Sequence, residues 1–217
     1  MNNKDKIELT FPDGLKRSFN VGVSGIEIAK SISKSLSKEA IAVEVNGVEL
    51  DLCDKITTNA SIKILTINSE KGLEIMRHTL TAQVLAKAVK KIYPNSKLAI
   101  GPTIENGFYY DFLFEKPISE EDFSKIEKEM KKIISSGAEI KKILRSKNDA
   151  IDLFQKRNEN YKVDIIEDSD QVNDFSIYCQ DHTDFIDLCK GPHLPSLKLI
   201  GVFKLTKISG AYWRGDS

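Results

Sequence analysis

The residues best equipped for chemistry lie near the end of the chain, in the stretch DLCKGPH. Asp187 supplies a carboxylate, Cys189 a thiol and His193 an imidazole. The Gly-Pro pair between them interrupts any helix or strand, because proline lacks an N–H and glycine adopts unusual φ values. The stretch therefore predicts a tight loop on which Cys189 and His193 converge on one point.

Three interpretations of this loop are open from its residues alone. A thiol and an imidazole four residues apart on a loop fit a pair of metal ligands. They equally fit two groups that act on one substrate. A buried structural cysteine beside a histidine in a turn is the simplest alternative. The surrounding chain has to decide among them.

Composition limits the classes of protein to consider. A length of 217 residues indicates one or two domains, and 41% apolar residues suffice for real cores. Lys+Arg and Asp+Glu both number 32, which argues against a generally basic nucleic-acid coat but allows a local basic face. The three cysteines cannot all pair, and the N-terminus is not a signal peptide. No apolar run approaches the ~20 residues that span a bilayer. We therefore expect a cytoplasmic protein with free thiols and no membrane contact.

Residues 1–67 are predicted to form a small α+β domain of ubiquitin-like type. Segments 6–11 and 16–21 alternate apolar and polar residues around a Pro-Asp-Gly turn, which is typical of a hairpin. Ser24 is placed to cap a helix that runs to about Leu36, and Asn46-Gly47 marks a second hairpin. The domain contains no titratable cluster, so we interpret it as a binding or docking module.

Residues 68–217 are predicted to form a second α+β domain, beyond a polar turn at 68–72. Apolar spacing predicts one long helix over 73–93, ended by Pro94. The remaining predicted elements are helices over 119–135 and 148–157, strands over 108–114, 139–144, 161–166, 175–181, 184–189 and 202–208, and a final turn over 210–217 that carries Trp213.

Three further side chains are candidates for a site. His78 lies in the first turns of the long helix, where a lone histidine is usually a surface or packing residue. Tyr110 lies among aromatic residues that are typical of a core, although its hydroxyl can reach a pocket. Lys162 falls in the predicted strand 161–166 and points away from the core if its neighbours point inward, as a surface lysine does.

Five motifs give the chain a resemblance to a known family. They are RHTLTAQVLAKAV, AIGPTIENGFYYDF, NENYKV, DLCKGPHLP and FKLTKISGAYWRGDS. In this order they resemble the N-terminal part of bacterial threonyl-tRNA synthetase, and they extend through most of the chain. The resemblance implies a TGS domain of the ubiquitin-like β-grasp type. It also implies an α+β editing domain with an antiparallel sheet and a long helix.

The resemblance implies proofreading by ester hydrolysis. An activation pocket for threonine cannot fully exclude serine, which is slightly smaller and carries the same hydroxyl. The editing domain of the family hydrolyses the seryl ester of mischarged Ser-tRNA(Thr) with an activated water, and threonine is excluded because its methyl group has no room. Ester attack needs a positioned water, stabilisation of the oxyanion and a proton for the leaving ribose oxygen.

The same resemblance assigns roles to individual residues. Lys162 matches the catalytic lysine of the family, and His193 matches a histidine that positions water and ribose. Asp187 and Cys189 match residues that line the amino-acid pocket, where the carboxylate pairs with the α-ammonium of the substrate. Tyr110 matches an aromatic residue of that pocket.

The long helix departs from the family pattern His-x-x-x-His. The first histidine matches His78, a catalytic candidate, but position 82 is alanine. Alignment of the downstream AQVLAKAV run instead puts Gln83, as a substrate-binding residue, where the second histidine belongs. The helix then carries one extra residue, which a π-bulge can absorb. We hypothesise that the bulge either displaces His78 or restores its position.

The departure also bears on cofactors. The related alanyl-tRNA editing domains use two histidines with a Cys-x-x-x-His pair to hold zinc, and glutamine is a poor zinc ligand. We therefore expect no metal and no cofactor in this region; ATP, magnesium and zinc would belong to the aminoacylation domain. ATP-binding motifs are absent from the sequence, so the chain is expected to be a fragment that does not ligate threonine.

The expected partner is the acceptor end of tRNA(Thr) carrying serine, and Lys190, Lys204 and Lys207 are candidates for a basic face. The full-length enzyme of the family implies a homodimer formed through the other domains. Two alternatives remain open: a tRNA-binding fragment whose editing is impaired, and a zinc-dependent deacylase of the alanyl type.

Overall fold

The computed structural model describes residues 6–210. These residues form two compact units. The N-terminal unit comprises 6–76 together with Gly191–Pro195, and the second unit comprises Arg77–Lys190 together with 196–210. Within the described range, no helix is both long and apolar enough to cross a membrane.

The N-terminal unit contains a five-stranded sheet, a separate two-stranded sheet and two short helices. Its strands are β1 (Lys6–Thr10), β2 (Lys16–Asn20), β3 (Val23–Ser24), β4 (Ala40–Val45), β5 (Val48–Asp51), β6 (Lys55–Ile56) and β7 (Ala60–Thr66), and its helices are α1 (Gly25–Ile32) and α2 (Lys34–Glu39). The main sheet has the order β2-β1-β7-β4-β5, with β1 parallel to β7 and the other pairs antiparallel. This topology is a β-grasp fold, and it confirms the predicted ubiquitin-like class.

The alternation of buried and exposed residues along β1 contributes to the core of this unit. Ile7 and Leu9 of β1 are buried between exposed neighbours and pack with Ile28 of α1. Asn46 and Gly47 both adopt positive φ, at 49° and 84°, which is the conformation that a two-residue hairpin turn requires. Both predicted hairpins are therefore confirmed.

The prediction of one continuous helix from Ser24 to Leu36 is wrong. Ser33 is extended, with φ −163°, and it separates α1 from α2. Its hydroxyl accepts the backbone N–H of Leu36 at 3.0 Å, so the residue ends one helix and caps the next. Competition between a serine side chain and helical backbone bonds explains the break.

The long helical element consists of α3 (Glu70–Thr79), a π-helical segment (Leu80–Leu85) and α4 (Ala86–Ile92). In the π-helical segment the N–H of Ala86 donates to the carbonyl of Thr81, five residues earlier. The predicted π-bulge is confirmed, and it falls on the stretch where the sequence carries one residue more than the family pattern.

The second unit combines short hairpins, a three-stranded sheet and helices. Its other elements are β8 (Lys97–Leu98), β9 (Thr103–Ile104), β10 (Gly107–Phe108), β11 (Phe112–Leu113), α5 (Phe123–Ser136), β12 (Ile140–Arg145), α6 (Lys147–Lys156), α7 (Asn160–Glu167), β13 (Phe175–Gln180) and β14 (Ile186–Leu188). The antiparallel sheet has the order β12-β13-β14. The class predicted for the second domain, α+β with an antiparallel sheet and a long helix, is confirmed.

The two faces of the β12-β13-β14 sheet differ in chemistry. Its apolar face packs against α6 and α7 through buried or partly buried side chains, namely Phe175, Ile177, Ile186 and Leu188. The opposite face, here called the polar face, carries side chains that alternate with these: Tyr178, Gln180, Asp187 and Cys189. Strand alternation therefore separates a core surface from a surface of polar groups.

Two predicted strands are wrong. Residues 161–166 form most of helix α7, in which Val163 and Ile166, three residues apart, are buried. A six-residue apolar run fits either a strand or a helix, and packing against the sheet decides for the helix. Residues 202–208 have no regular secondary structure; Leu205 donates its N–H to Glu127 Oε1 at 2.8 Å rather than to a neighbouring strand.

The predicted strand over 108–114 is also interrupted. Its residues belong to two separate hairpins, β9-β10 and β8-β11. The predicted helix over 119–135 is confirmed as α5, which follows a single 3₁₀ turn capped at Ser119. Apart from Gly210, the predicted turn around Trp213 lies outside the described residues.

Candidate functional site

A buried cluster of three polar side chains forms the centre of the second unit's candidate site. Lys162 Nζ lies 2.7 Å from Asp187 Oδ1 and donates to the hydroxyl of Tyr110 at 3.1 Å. The hydroxyl in turn donates to Asp187 Oδ2 at 3.3 Å. The side chains of Lys162 and Asp187 are only 3% and 2% exposed, so the pair is removed from water. Three residues far apart in sequence are therefore joined by one ion pair and two hydrogen bonds.

Burial shapes the ionisation of this cluster. It raises the pKa of Tyr110 well above its usual value, and the nearby Asp187 charge acts in the same direction. Tyr110 is therefore a neutral phenol that donates to the carboxylate. Burial also raises the pKa of Asp187, while the Lys162 ammonium opposes that shift. Buried ion pairs are costly unless they are fully paired, and a cluster of this kind is typical of a functional site.

The helix that carries Lys162 explains its position. Glu159 precedes α7, and its carbonyl accepts the N–H of Lys162 at 3.0 Å, so the first turn begins there. The conditional prediction of a strand lysine that points away from the core is wrong, because a helix in this place turns Lys162 inward. Glu159 is itself buried and pairs with Lys90 at 2.7 Å, a contact that sequence reasoning missed.

The Tyr110 ring packs directly against the backbone at Gly101. A Cβ atom at Gly101 would collide with the Tyr110 ring, so glycine is required there for the ring to lie as it does. The ring stacks on Phe112 at a centroid distance of 4.6 Å. Its hydroxyl contacts Asp187 and Lys162, and the expectation that it reaches a substrate pocket stays a prediction.

His78 and Cys189 also meet in the second unit. His78 Nε2 lies 2.8 Å from Cys189 Sγ, a distance that corresponds to a hydrogen bond. Cys189 follows β14 and bonds the carbonyl of Ser176 through its N–H at 3.2 Å, which keeps it in register on the polar face. The structure thus brings His78 to the same sheet face as Asp187.

Gln83 is completely buried in the π-helical segment and contacts Gln180 of β13. Gln180 Nε2 donates to the backbone carbonyl of Gln83 at 2.6 Å and lies 3.3 Å from its side-chain Oε1. Lys87 Nζ donates to Gln180 Oε1 at 2.8 Å. Sequence reasoning missed Gln180, although its place two residues after Tyr178 on an alternating strand was a usable signal.

His193 lies in Gly191–Pro195, the segment that belongs to the N-terminal unit. It is buried, and its backbone N–H donates to Asp51 Oδ1 at 3.0 Å. Within the second unit, the metal-type ligands brought together are the His78 imidazole and the Cys189 thiol. The role of His193 beside Cys189 stays a prediction.

Two known domain families match parts of the chain. Residues 7–66 match the TGS domain, in agreement with the β-grasp topology. Residues 175–217 match the Threonyl and Alanyl tRNA synthetase second additional domain, the stretch that begins with β13 and carries Asp187 and Cys189.

The curated relatives of the chain are threonine–tRNA ligases. The chain is 48% identical over 211 residues to threonine–tRNA ligase of Francisella philomiragia subsp. philomiragia, covering 97% of this chain and 33% of the relative. The ligases of Francisella tularensis subsp. tularensis strain SCHU S4 and subsp. holarctica strain OSU18 are 46% and 45% identical over the same shares. The chain thus resembles the N-terminal region of threonine–tRNA ligase, and it spans about a third of the length of these curated relatives.

Proposed function

We propose that the second unit hydrolyses the ester of serine mischarged onto tRNA(Thr). The observation that carries this proposal is the Lys162 ammonium, 3% exposed and held between Asp187 and Tyr110. A buried cation with an adjacent carboxylate and phenol suits a substrate that carries both an α-ammonium and an ester carbonyl. The similarity to threonine–tRNA ligases supports tRNA(Thr) as the carrier of the proposed ester.

The reaction needs one water and no covalent intermediate. The water oxygen attacks the carbonyl carbon and the ester C–O bond breaks. One proton of the water goes to the ribose oxygen, the other is released to solvent, and serine leaves as a carboxylate. Lys162 stabilises the charge that develops on the carbonyl oxygen. Asp187 pairs with the α-ammonium of serine, and the neutral Tyr110 hydroxyl holds Asp187 and Lys162 in position.

His78 and Cys189 are proposed to act on the other side of the substrate. The Cys189 thiol contacts the seryl side chain, and the His78 imidazole orders the attacking water. His193 is proposed, from the family resemblance, to help position water and ribose. One additional methyl group on the substrate is worth roughly 10- to 200-fold in discrimination, which suits a small pocket that admits serine and excludes threonine.

The proposed hydrolysis runs without a metal ion. Two ligands of one tetrahedral zinc, a thiolate sulfur and an imidazole nitrogen, lie roughly 3.5 Å apart. His78 Nε2 and Cys189 Sγ are 2.8 Å apart, so they hydrogen-bond to each other directly. This donor pair is arranged for a hydrogen bond and would have to separate to share a metal.

The substrate is proposed to approach as the acceptor end of tRNA(Thr). Lys190, Lys204 and Lys207 are exposed and remain candidates for phosphate contacts, although Lys204 also pairs with Glu127 at 3.2 Å. Binding to tRNA should therefore be weak and should fall with increasing salt.

The test is hydrolysis of Ser-tRNA(Thr) and Thr-tRNA(Thr), side by side, with and without a chelator. We expect loss of the seryl ester alone, at a rate that the chelator does not change. Lys162→Met should lower that rate roughly 100-fold or more, because the charge on the carbonyl oxygen loses its stabilising group. Lys141→Met is the matched control: Lys141 also makes an ion pair of 2.7 Å, but it is 57% exposed.

Each alternative has its own outcome in the same assay. Wild-type chain that binds Ser-tRNA(Thr) but leaves its ester intact would be a binding fragment and would overturn the proposal. Hydrolysis abolished by the chelator and restored by zinc would replace the proposal with a zinc deacylase. Equal rates for wild type and Lys162→Met would remove Lys162 from the chemistry.

A further inference from the structure

Gln180 shares the polar face of the sheet with two residues of the proposed site. Tyr178 pairs directly with Asp187 across β13 and β14, so their side chains lie on the same face. Gln180 is two residues beyond Tyr178 on the same strand and therefore projects from that face as well. Cys189 continues the register opposite Ser176. Gln180, Asp187 and Cys189 thus project from the sheet in the same direction.

The long helical element supplies the groups that meet this face. His78 contacts Cys189, and Gln83 contacts Gln180. These two helical residues are five apart, which is the interval of one π-type hydrogen-bonded turn. In a regular α-helix, with 3.6 residues per turn, side chains five residues apart point to different sides of the helix. The π-helical segment instead turns both His78 and Gln83 toward the sheet. The extra residue in the helix therefore places Gln83 on the same side as His78.

A chain of donors and acceptors fixes the orientation of the two amides. Lys87 has only N–H donors, so the atom of Gln180 that it contacts, at 2.8 Å, is the oxygen. The Gln180 nitrogen then faces Gln83, where it donates to the backbone carbonyl at 2.6 Å. Because that nitrogen is a donor, the atom of the Gln83 side chain that lies 3.3 Å from it is the acceptor, Oε1. The amide nitrogen of Gln83 must point the other way.

The Gln83 amide nitrogen is a buried donor. Gln83 is 0% exposed, and among residues 6–210 no acceptor lies within hydrogen-bond reach of its Nε2. Leaving such a donor unsatisfied is costly, so native structures seldom keep one without a reason. A substrate oxygen that enters beside the polar face would satisfy it.

We propose that Gln83 Nε2 donates a hydrogen bond to an oxygen of the bound aminoacyl ester, and that Gln180 and Lys87 are positioning residues that fix the Gln83 amide for this task. The inference rests on the proposed function and names a further substrate-binding group for it, with the two residues that orient it. The acceptor belongs to the ester carbonyl or to a ribose hydroxyl, since both are neutral oxygens that accept from an amide. An amide does not titrate, so this contact is independent of pH.

The binding test uses a non-hydrolysable analogue, an adenosine that carries serine through an amide at the ribose in place of the ester. Its affinity for the full chain is measured by calorimetry, apart from any turnover. Gln83→Met keeps the length of the side chain but removes the donor, and we expect the Kd to rise roughly tenfold. Gln155→Met, at an exposed position of α6, is the control and should leave the Kd unchanged.

The positioning role has a signature that a structural role lacks. Gln180→Glu still accepts from Lys87, but its carboxylate also accepts from Gln83 Nε2 and so turns the donor away from the substrate. With glutamine side chains labelled with ¹⁵N, the Gln83 amide signal should shift on addition of the analogue in wild type and stay unchanged in Gln180→Glu. Lys87→Met should likewise reduce the shift of the Gln83 signal on addition of the analogue, and Lys87→Arg, which keeps the donor, should retain both the shift and the binding. Lys91→Met, on the same helix, serves as the control.

The outcomes separate the inference from the function on which it rests. Gln83→Met that binds the analogue as tightly as wild type would overturn the inference, while Lys162-dependent hydrolysis by wild type would leave the proposed function intact. Wild type that neither binds the analogue nor hydrolyses Ser-tRNA(Thr) would overturn both. Should Gln180→Glu fail to fold, as judged by circular dichroism, the Gln83→Met affinity decides alone.

Discussion

The two faces of the β12-β13-β14 sheet are made by the same strands and serve different ends. On the apolar face, Phe175 and Ile177 pack into a cluster with Phe154 and Ile166 of the flanking helices. The identity of each residue on that face is not critical, because many apolar side chains of similar size can fill such a core. The apolar face therefore supplies stability without specifying any chemistry.

The polar face depends on individual atoms. Asp187 is held by Lys162 at 2.7 Å and by the Tyr110 hydroxyl at 3.3 Å, both from other elements. Asp187, Lys162 and Tyr110 hold one another there, and replacement of one leaves another without its partner. Adjacent residues of one strand face opposite sides of the sheet, so their substitutions should have different effects. Substitution on the apolar face should change stability alone, whereas substitution on the polar face should change both stability and activity.

The largest effect is expected from Lys162→Met on the polar side. Removal of the ammonium leaves the Asp187 carboxylate buried without its cation, which should lower the free energy of unfolding by about 3–5 kcal/mol and abolish hydrolysis. Urea denaturation and the deacylation assay measure the two effects. In Lys141→Met, which breaks the exposed matched pair, we expect only a small loss of stability, because solvent weakens that pair.

A double variant separates pairing from catalysis. Lys162→Met combined with Asp187→Leu replaces the whole ion pair by apolar side chains, so most of the lost stability should return while hydrolysis stays absent. A double variant no more stable than Lys162→Met alone would argue against an uncompensated charge as the cause.

The next effect is expected on the apolar face, from Ile177→Ala. Ile177 is 1% exposed, and its truncation should lower the free energy of unfolding by about 2–4 kcal/mol through lost burial and a residual cavity. The rate of hydrolysis per folded molecule should not change. Ile143→Ala is the control, because Ile143 pairs directly with Ile177 on β12 but is 36% exposed. A large change in rate for Ile177→Ala would contradict the separation of the two faces.

Sequence patterns predicted the apolar parts of this molecule better than the polar ones. The β-grasp unit, the β13-β14 hairpin and the long helix follow from alternation, from Asn46-Gly47 and from the 3–4 spacing of apolar residues. Each of these signals is local, since it depends on neighbours within a few positions. The π-bulge was also predictable, because an extra residue in a helix must be absorbed somewhere.

The elements that failed depend on long-range contacts. Residues 161–166 alternate like a strand, but packing of Val163 and Ile166 on the sheet makes them a helix and turns Lys162 inward. Residues 202–208 are apolar enough for a strand, but Leu205 bonds Glu127 of α5 instead. The Gln83–Gln180 contact joins positions 97 residues apart, and no local pattern marks such a pair.

Tyr110→Phe sharpens the comparison within the polar face. It removes one hydroxyl and leaves the ring, so stacking on Phe112 is retained while Asp187 loses a donor. We expect the free energy of unfolding to fall by roughly 1–2 kcal/mol and the rate of hydrolysis to fall several-fold, because Lys162 and Asp187 lose the group that bridges them. Tyr93→Phe is the control, since Tyr93 also donates to a carboxylate, that of Asp122, at 2.8 Å. Equal rates for Tyr110→Phe and wild type would limit Tyr110 to a packing role.

The smallest effect contrasts the fully buried pair with an ion pair of the same unit in which only the carboxylate is buried. Glu129 accepts from Lys91 at 2.6 Å, and that bond lowers the pKa of Glu129 below its usual value. A carboxyl with a lowered folded-state pKa contributes stability that is present above its unfolded pKa and is lost as pH falls through the folded value. Glu129→Gln should therefore cost about 0.2–1 kcal/mol at neutral pH, because Lys91 is 64% exposed and solvent weakens the pair, and the difference from wild type should vanish in acid. Urea unfolding of both proteins across this pH range measures the difference. A cost that stays constant into acid would mean that Glu129 stabilises the unit by packing against its neighbours, and that charge matters to stability only where Lys162 and Asp187 are buried.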